Sequence, residues 1–263
     1  MTDPSQTMKK INLRLTTALI VCCILGPGLL SASRAHLQSS IAHPLDTTMA
    51  LLWNGDAALG PTVFKVLETD SLGSISVVQD SLAGKVWKIH KPVKNHRTEV
   101  HAASGFVAGE GDDIYIGWRS KLDIPEHAQT FAVFQWKAYG DNMMQNFPLV
   151  FKTLITGEIQ LQYATPQKVH IGLWSAPLSR NEWNDFVLHL YISRDPAKGF
   201  VEFWYNGVQQ QLAGSAARYY GRTLDAGHCD PKWGVYGGDA YTITNYVAAL
   251  KIGPNYTGVA PKH

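Results

Sequence analysis

The chain has 263 residues, of which 45% are hydrophobic, 17% charged and 11% aromatic, with 23 glycines and a formal net charge of +2. That length and apolar content supply an ample core for one large all-β domain or two small ones. A balance this close to neutral excludes a global basic field of the kind that binds nucleic acid.

The first stretch reads as a targeting segment. Lys9, Lys10 and Arg14 precede an apolar run from Leu15 to Leu30, and the small residues Ser31, Ala32, Ser33 and Ala35 follow. This predicts a secretory signal peptide over residues 1–35, with translation starting at Met8 and cleavage after Ala35. The alternative is an uncleaved membrane anchor, but the run is short and Gly26-Pro27-Gly28 breaks it. The expectation is a secreted or periplasmic protein with no stable membrane association, whose residues 36–263 form a single domain. Cleavage takes away four of 23 basic and one of 21 acidic residues, leaving 19 against 20. It also removes Cys22 and Cys23, so Cys229 remains alone, which excludes an internal disulfide and a cysteine-based zinc site.

From His36 to about Asp70 the pattern is weak and predicts an edge wrap. Ser74 to Asp80 and Lys85 to His90 read as short strands. His96 to Ala103 alternates, with Arg97, Glu99 and His101 on one side. Ile114 to Leu122 is another strand. Thr130 to Tyr139 is aromatic and β-branched with no Gly or Pro before its end, the strongest strand signal in the chain. Its alternation puts Phe131, Val133, Gln135 and Lys137 on one face and Ala132, Phe134, Trp136 and Ala138 on the other. An amide and an ammonium in one row of a buried strand predict a wet groove.

Leu149 to Leu154 and Glu158 to Tyr163 flank Thr156-Gly157, a hairpin signal. Val169 to Trp174, Trp183 to Ser193 and Phe200 to Tyr205 follow, the last closed by Asn206-Gly207, a type I′ turn signal. Gly214 to Tyr219 is the one helix expected. Lys232 to Tyr236 and Tyr246 to Ile252 complete the series. About ten or more short strands with regular turn punctuation predict an all-β, two-sheet sandwich, a β-jelly roll of concanavalin-like type with a concave substrate groove. There is no Gly-rich phosphate loop, Cys/His cluster or Gly-x-Ser-x-Gly, which argues against nucleotide, zinc and serine-hydrolase chemistry.

Three segments place polar side chains in one strand row. Arg97, Glu99 and His101 form the first: Arg97 offers a planar fork for a carboxylate, with Glu99 available to hold it. A structural ion-pair ladder is the alternative. Gln135 and Lys137 form the second: an amide can donate to a carboxylate without adding charge, or both can be ordinary sheet-face side chains. Lys232, Gly234 and Tyr236 form the third, with a glycine that allows close approach to the backbone beside a phenol before Gly237-Gly238. The alternative for Tyr236 is an edge or core tyrosine.

In order and content these segments resemble the jelly-roll polysaccharide lyases. Arg97-Thr98-Glu99-Val100-His101, Gln135-Trp136-Lys137 and Lys232-Trp233-Gly234-Val235-Tyr236 are similar to the three alginate-lyase motifs. Trp183-Asn184-Asp185-Phe186 and Gly199 to Gly207 are closer to the glucuronan-lyase and heparin-lyase-I-like group. His101 stands where the alginate motif has a second Arg, and Lys137 where it has a His. The resemblance implies β-elimination on an anionic 1,4-linked polyuronate, glucuronan or a related polymer. Arg97 and Gln135 would neutralise the carboxylate, and Tyr236 would serve as base and acid, with His101 as the alternative base.

When the C5 proton and the leaving oxygen lie on one side of the ring, as in β-D-glucuronate and β-D-mannuronate, one tyrosine suffices. Lys137, Lys232 or Arg97 would supply the cation that a phenol base needs. Glu99, Lys137, Lys232, Trp118, Tyr139 and Trp233 are the expected substrate contacts, the rings as stacking platforms; Trp136 points to the core. The resemblance also implies a structural calcium, for which Asp112-Asp113 and Glu68-Asp70 are the nearest acidic pairs, although no Asp-x-Asp-x-Asp loop supports a site and no cofactor is required. A monomer is expected. The alternative function is a non-catalytic, lectin-like carbohydrate-binding sandwich; a glucanase-like hydrolase lacks its Glu-x-Asp-x-x-Glu.

Overall fold

Short runs that alternate apolar with polar side chains put about half of the described residues into strands, because alternation leaves each strand one face to bury. The computed structural model describes residues 50–262; the predicted signal peptide lies outside the described residues. In chain order the strands are β1 (Trp53–Asn54), β2 (Phe64–Thr69), β3 (Ser74–Asp80), β4 (Gly84–Lys91), β5 (Arg97–Ala103), β6 (Asp113–Asp123), β7 (Ala132–Tyr139) and β8 (Leu149–Thr153). They continue with β9 (Glu158–Ala164), β10 (His170–Pro177), β11 (Trp183–Tyr191), β12 (Phe200–Tyr205), β13 (Val208–Gln209), β14 (Arg218–Tyr220), β15 (His228–Tyr236) and β16 (Ile243–Gly253). A single turn of helix, α1 (Tyr256–Val259), follows.

Two antiparallel sheets result, the two layers of a β-jelly-roll sandwich. One runs β13-β12-β11-β6-β16-β4-β3, with β1 beside β16 and β14 beside β12. The other, of seven strands, runs β10-β9-β8-β7-β15-β5-β2. The segment expected only to wrap an edge does supply the edge strand β2 of this second sheet. The expected helix at Gly214–Tyr219 is absent. Gly214 and Ser215 take left-handed backbone at φ 81° and 59°, making a turn that Leu212 and Ala216 bridge, and Arg218–Tyr220 then pairs with β12. Two adjacent tyrosines suit a strand better than a helix turn.

The facing sheets bury an aromatic core. Trp118 of β6 stacks on Phe134 of β7, with ring centroids 4.6 Å apart, and on Phe186 of β11 at 5.1 Å. Trp233 of β15 stacks on Trp53 at 5.8 Å. Trp136 is fully buried and donates its indole N–H to the Thr223 carbonyl. Cys229 is buried too, and burial pushes its thiol up to about 12. Among the described residues, no helix is long and apolar enough to cross a membrane.

Candidate active site

β5, β15 and β7 are neighbours in the seven-stranded sheet, so the three polar rows meet. Lys232 pairs with His101 on one side and with Gln135 on the other. Gly234 stands opposite Glu99, and Tyr236 opposite Arg97. Alternation sends the partners of these residues, Phe134, Trp136 and Trp233, into the core and leaves the polar side chains on the outer face.

Tyr236 owes its position to a bulge. Between Trp233 and Tyr236 the pairing of β15 with β7 slips, so that Gly234 and Val235 together oppose Val133. Gly234 sits at φ 147°, and a Cβ there would lie 2.3 Å from the Thr98 carbonyl oxygen. Asn245, on β16 of the opposite sheet, donates to the Gly234 carbonyl at 3.0 Å and to the Val133 carbonyl at 3.4 Å.

Two carboxylates organise the cations. Glu68, on β2, accepts from Arg97 Nη1 at 2.6 Å through one oxygen and from Lys232 Nζ at 2.8 Å through the other. Burial alone would raise Glu68, but Lys232 and Arg97 outweigh it and hold the carboxyl below its ordinary value. Glu99 is 2% exposed; it accepts from Gln135 Nε2 at 2.7 Å and lies 2.8 Å from Lys232 Nζ. Burial raises its carboxyl against the pull of Lys232. Burial works against the charge of Arg97, but Glu68 raises its guanidinium further. The expectation that Glu99 holds Arg97 is corrected: Glu68 holds it, and Glu99 is committed to Lys232 and Gln135.

Arg97, Glu99, Gln135, Lys137, Asn146, Lys232 and Tyr236 line a pocket of about 210 Å³. The Tyr236 ring sits among Arg97, whose guanidinium carbon is 5.0 Å from the ring centre, His96 at 4.6 Å and Phe131 at 5.5 Å. Of the three cations expected at the phenol, Arg97 is the one on the ring. Lys137 instead donates to Asn146 Oδ1 and the Ala138 carbonyl, each at 2.7 Å.

His101 lies outside the lining. Its Nδ1 is 3.0 Å from the Tyr139 hydroxyl, its ring stacks on Tyr139, and its Nε2 faces Glu68 at 3.6 Å. Burial, with Lys232 nearby, lowers its imidazole to about 4, so it is neutral at pH 7. Burial also raises the Tyr139 phenol, which keeps its proton and donates it to Nδ1; we assign the imidazole proton to Nε2 on that ground.

The expected stacking platforms Trp118 and Trp233 are corrected. They are 2% and 0% exposed and belong to the core. Trp233 alternates with Lys232 and Gly234 on one strand, so its parity already sends it inward, and Trp118 belongs to the opposite sheet. Sequence reasoning missed Glu68 as a groove residue, and also His96, Asn146 and Asn245. The acidic pairs proposed for calcium do not fit it. Glu68 is held by two cations, Asp70 accepts from the His96 and Arg97 backbone, Asp112 from Gly109 N, and Asp113 pairs with His189. Among the described residues no three His, Cys, Asp or Glu cluster as metal ligands.

A family described as polysaccharide lyase matches residues 64–249. No curated protein matches the chain. Among solved structures, an endo-β-1,4-glucuronan lyase from the fungus Trichoderma reesei superposes with a TM-score of 0.61 at 15% identity, covering 81% of this chain and 100% of that one. A PL-14 alginate lyase from Aplysia kurodai gives 0.51 at 12% identity, covering 77% and 98%. A carbohydrate esterase from the Shiga toxin-encoding bacteriophage phi24B gives 0.53 at 15%, covering 77% and 97%. At these identities the likeness is one of fold.

Proposed function

The chain belongs to the polysaccharide lyase family, and from that premise we propose that it is secreted and cleaves a 1,4-linked polyuronate, glucuronan or a close relative, by β-elimination in the Arg97–Gln135–Tyr236 pocket. The observation that carries this reading is the convergence on one sheet face of a guanidinium, an amide and a phenol around a single pocket.

A uronate bound here points its carboxylate at Arg97 and at the second N–H of Gln135, the first being held by Glu99. Neutralising the carboxylate makes the C5 proton acidic, because charge that develops on the carboxyl oxygens in the transition state meets donors already in place. Tyr236 takes that proton, the bond from C4 to the glycosidic oxygen breaks, and the same hydroxyl returns a proton to the departing oxygen. A C4=C5 double bond remains on one product. One group in both roles requires proton and leaving group on the same side of the ring, as in β-D-glucuronate. His101 is the weaker base, since it stands outside the pocket lining with its Nδ1 engaged by Tyr139.

The test follows ultraviolet absorbance of the unsaturated product with glucuronan, alginate, heparin and hyaluronan, for the unaltered enzyme and for Tyr236→Phe. Product from one polymer, abolished in a folded Tyr236→Phe, is the expected result. Undiminished product in Tyr236→Phe overturns the assignment of the base.

A further inference from the structure

The polar face of the seven-stranded sheet continues beyond β7. Gln135 pairs with Val150, and Val150 with Gln162, so the row of His101, Lys232 and Gln135 reaches β9. Two residues along β8, on the Tyr236 side of Gln135, Lys152 pairs with Gln160. Neighbouring strands lie about 4.8 Å apart, so Lys152 stands roughly 10 Å across the sheet from the β15 strand that carries Tyr236.

Lys152 differs from the other cations of this face. Arg97 and Lys232 are neutralised by Glu68 and Glu99, and Lys137 is held by Asn146. Lys152 is half-buried, yet its ammonium makes no hydrogen bond or ion pair with any described residue. Burial alone lowers its ammonium, with no carboxylate acting on it.

Its polar neighbours leave donors outward. His170 Nδ1 meets Gln162 Oε1 at 3.1 Å, and Gln162 Nε2 donates to Gln160 Oε1. The acceptors of both glutamines are therefore used inside this chain of contacts, and the Gln160 amide N–H₂ remains. Gly172 leaves it room, since a Cβ there would lie 3.1 Å from Gln160 Nε2. An unneutralised ammonium beside an amide donor is a pair of donors for an anion with two oxygens.

We propose that Lys152 and Gln160 form a second carboxylate-binding subsite, which holds a uronate further along the polymer than the one that reacts. This rests on the polyuronate reading above. The subsite would fix how the polymer lies across the strands and favour substrates charged at successive sugars.

The test measures binding of a glucuronan hexasaccharide and disaccharide by calorimetry in the full chain carrying Tyr236→Phe, with and without Lys152→Met. Lys85→Met, an exposed lysine on the opposite sheet, controls for charge. The expected result is about tenfold weaker hexasaccharide binding in Lys152→Met, no change in Lys85→Met, and a much smaller change with the disaccharide. A carboxyl-reduced hexasaccharide should show no difference between parent and Lys152→Met. Equal hexasaccharide binding in parent and Lys152→Met, or an equal loss in Lys85→Met, overturns the subsite. Product formation by the unaltered enzyme is read separately. If Lys152→Met weakens binding while no polyuronate is cleaved, the subsite stands and the substrate reading falls.

Discussion

Asn245 and Gly234 belong to opposite sheets, yet the side-chain amide of one donates to the carbonyl of the other at 3.0 Å. That carbonyl lies in the bulge, and a buried carbonyl without a donor costs about 1–3 kcal/mol. Asn245 supplies the donor and is itself fixed by the Ser120 hydroxyl at 2.5 Å. Tyr236 lies two residues beyond, so a core amide sets where the phenol stands.

Asn245→Leu should therefore lower stability by about 2–3 kcal/mol, because the Gly234 and Val133 carbonyls and the Ser120 hydroxyl lose their partner. It should also lower kcat about tenfold at little-changed KM, since a misplaced base costs rate more than binding. Thermal denaturation and steady-state kinetics on the same preparation check both. A stability loss with unchanged kcat would reduce Asn245 to a purely structural role.

Glu68→Gln keeps the shape of the side chain and removes the charge that neutralises Arg97 and Lys232. The groove becomes more positive, so polyuronate should bind a few-fold more tightly. The gain is small because the Glu68 side chain is 34% exposed and water screens it. Arg97 is at the same time held less firmly, so kcat should fall. Calorimetry and turnover, measured together, separate the two effects.

His101 gives the protein an acid-side dependence. Its folded-state value near 4 lies below the ordinary imidazole value of 6.5. Between those values the unfolded chain binds a proton that the folded chain does not. The contribution of His101 is whole above pH 6.5 and is lost as pH falls from 6.5 to 4, by about 2 kcal/mol after allowance for screening at the groove. Denaturant melts across this range should show the slope, and His101→Gln should flatten it.

Lys91 is fully buried and donates to the carbonyls of Asn95, Gly238 and Tyr241 at 2.9–3.1 Å. It ties the loop after β4 to the loop that follows Tyr236. Lys91→Met fills similar space but strands those carbonyls, so it should cost about 2–4 kcal/mol. A lowered denaturation midpoint with an unchanged denaturant slope would confirm it.

Much of the groove was legible because a strand repeats every second residue. Arg97, Glu99 and His101, then Gln135 and Lys137, then Lys232, Gly234 and Tyr236 follow from that period, and the sheet order brings them together. The same parity puts Trp233 inward, beside the outward Lys232 and Gly234. Glu68 was hidden because β2 is a mostly exposed edge strand with no clean alternation. Asn245 was hidden for another reason: no period within one strand records what crosses to the opposite layer. The helix expected at residues 214–219 failed where two left-handed residues turn the chain.

The inward turn of Trp136 and Trp233 leaves the pocket lining without an indole. If the proposed polyuronate is held here by Arg97, Lys137 and Lys232, whose charge Glu68 and Glu99 only partly offset, the groove works in part as an ion exchanger, and dissolved salt competes for the same sites. At about 0.1 M salt, charges separated by more than about 10 Å at the surface hardly sense one another. The salinity of the surrounding water would thus govern how long a polysaccharide stays seated, and the enzyme would grip hardest in dilute water and let go most readily in brine.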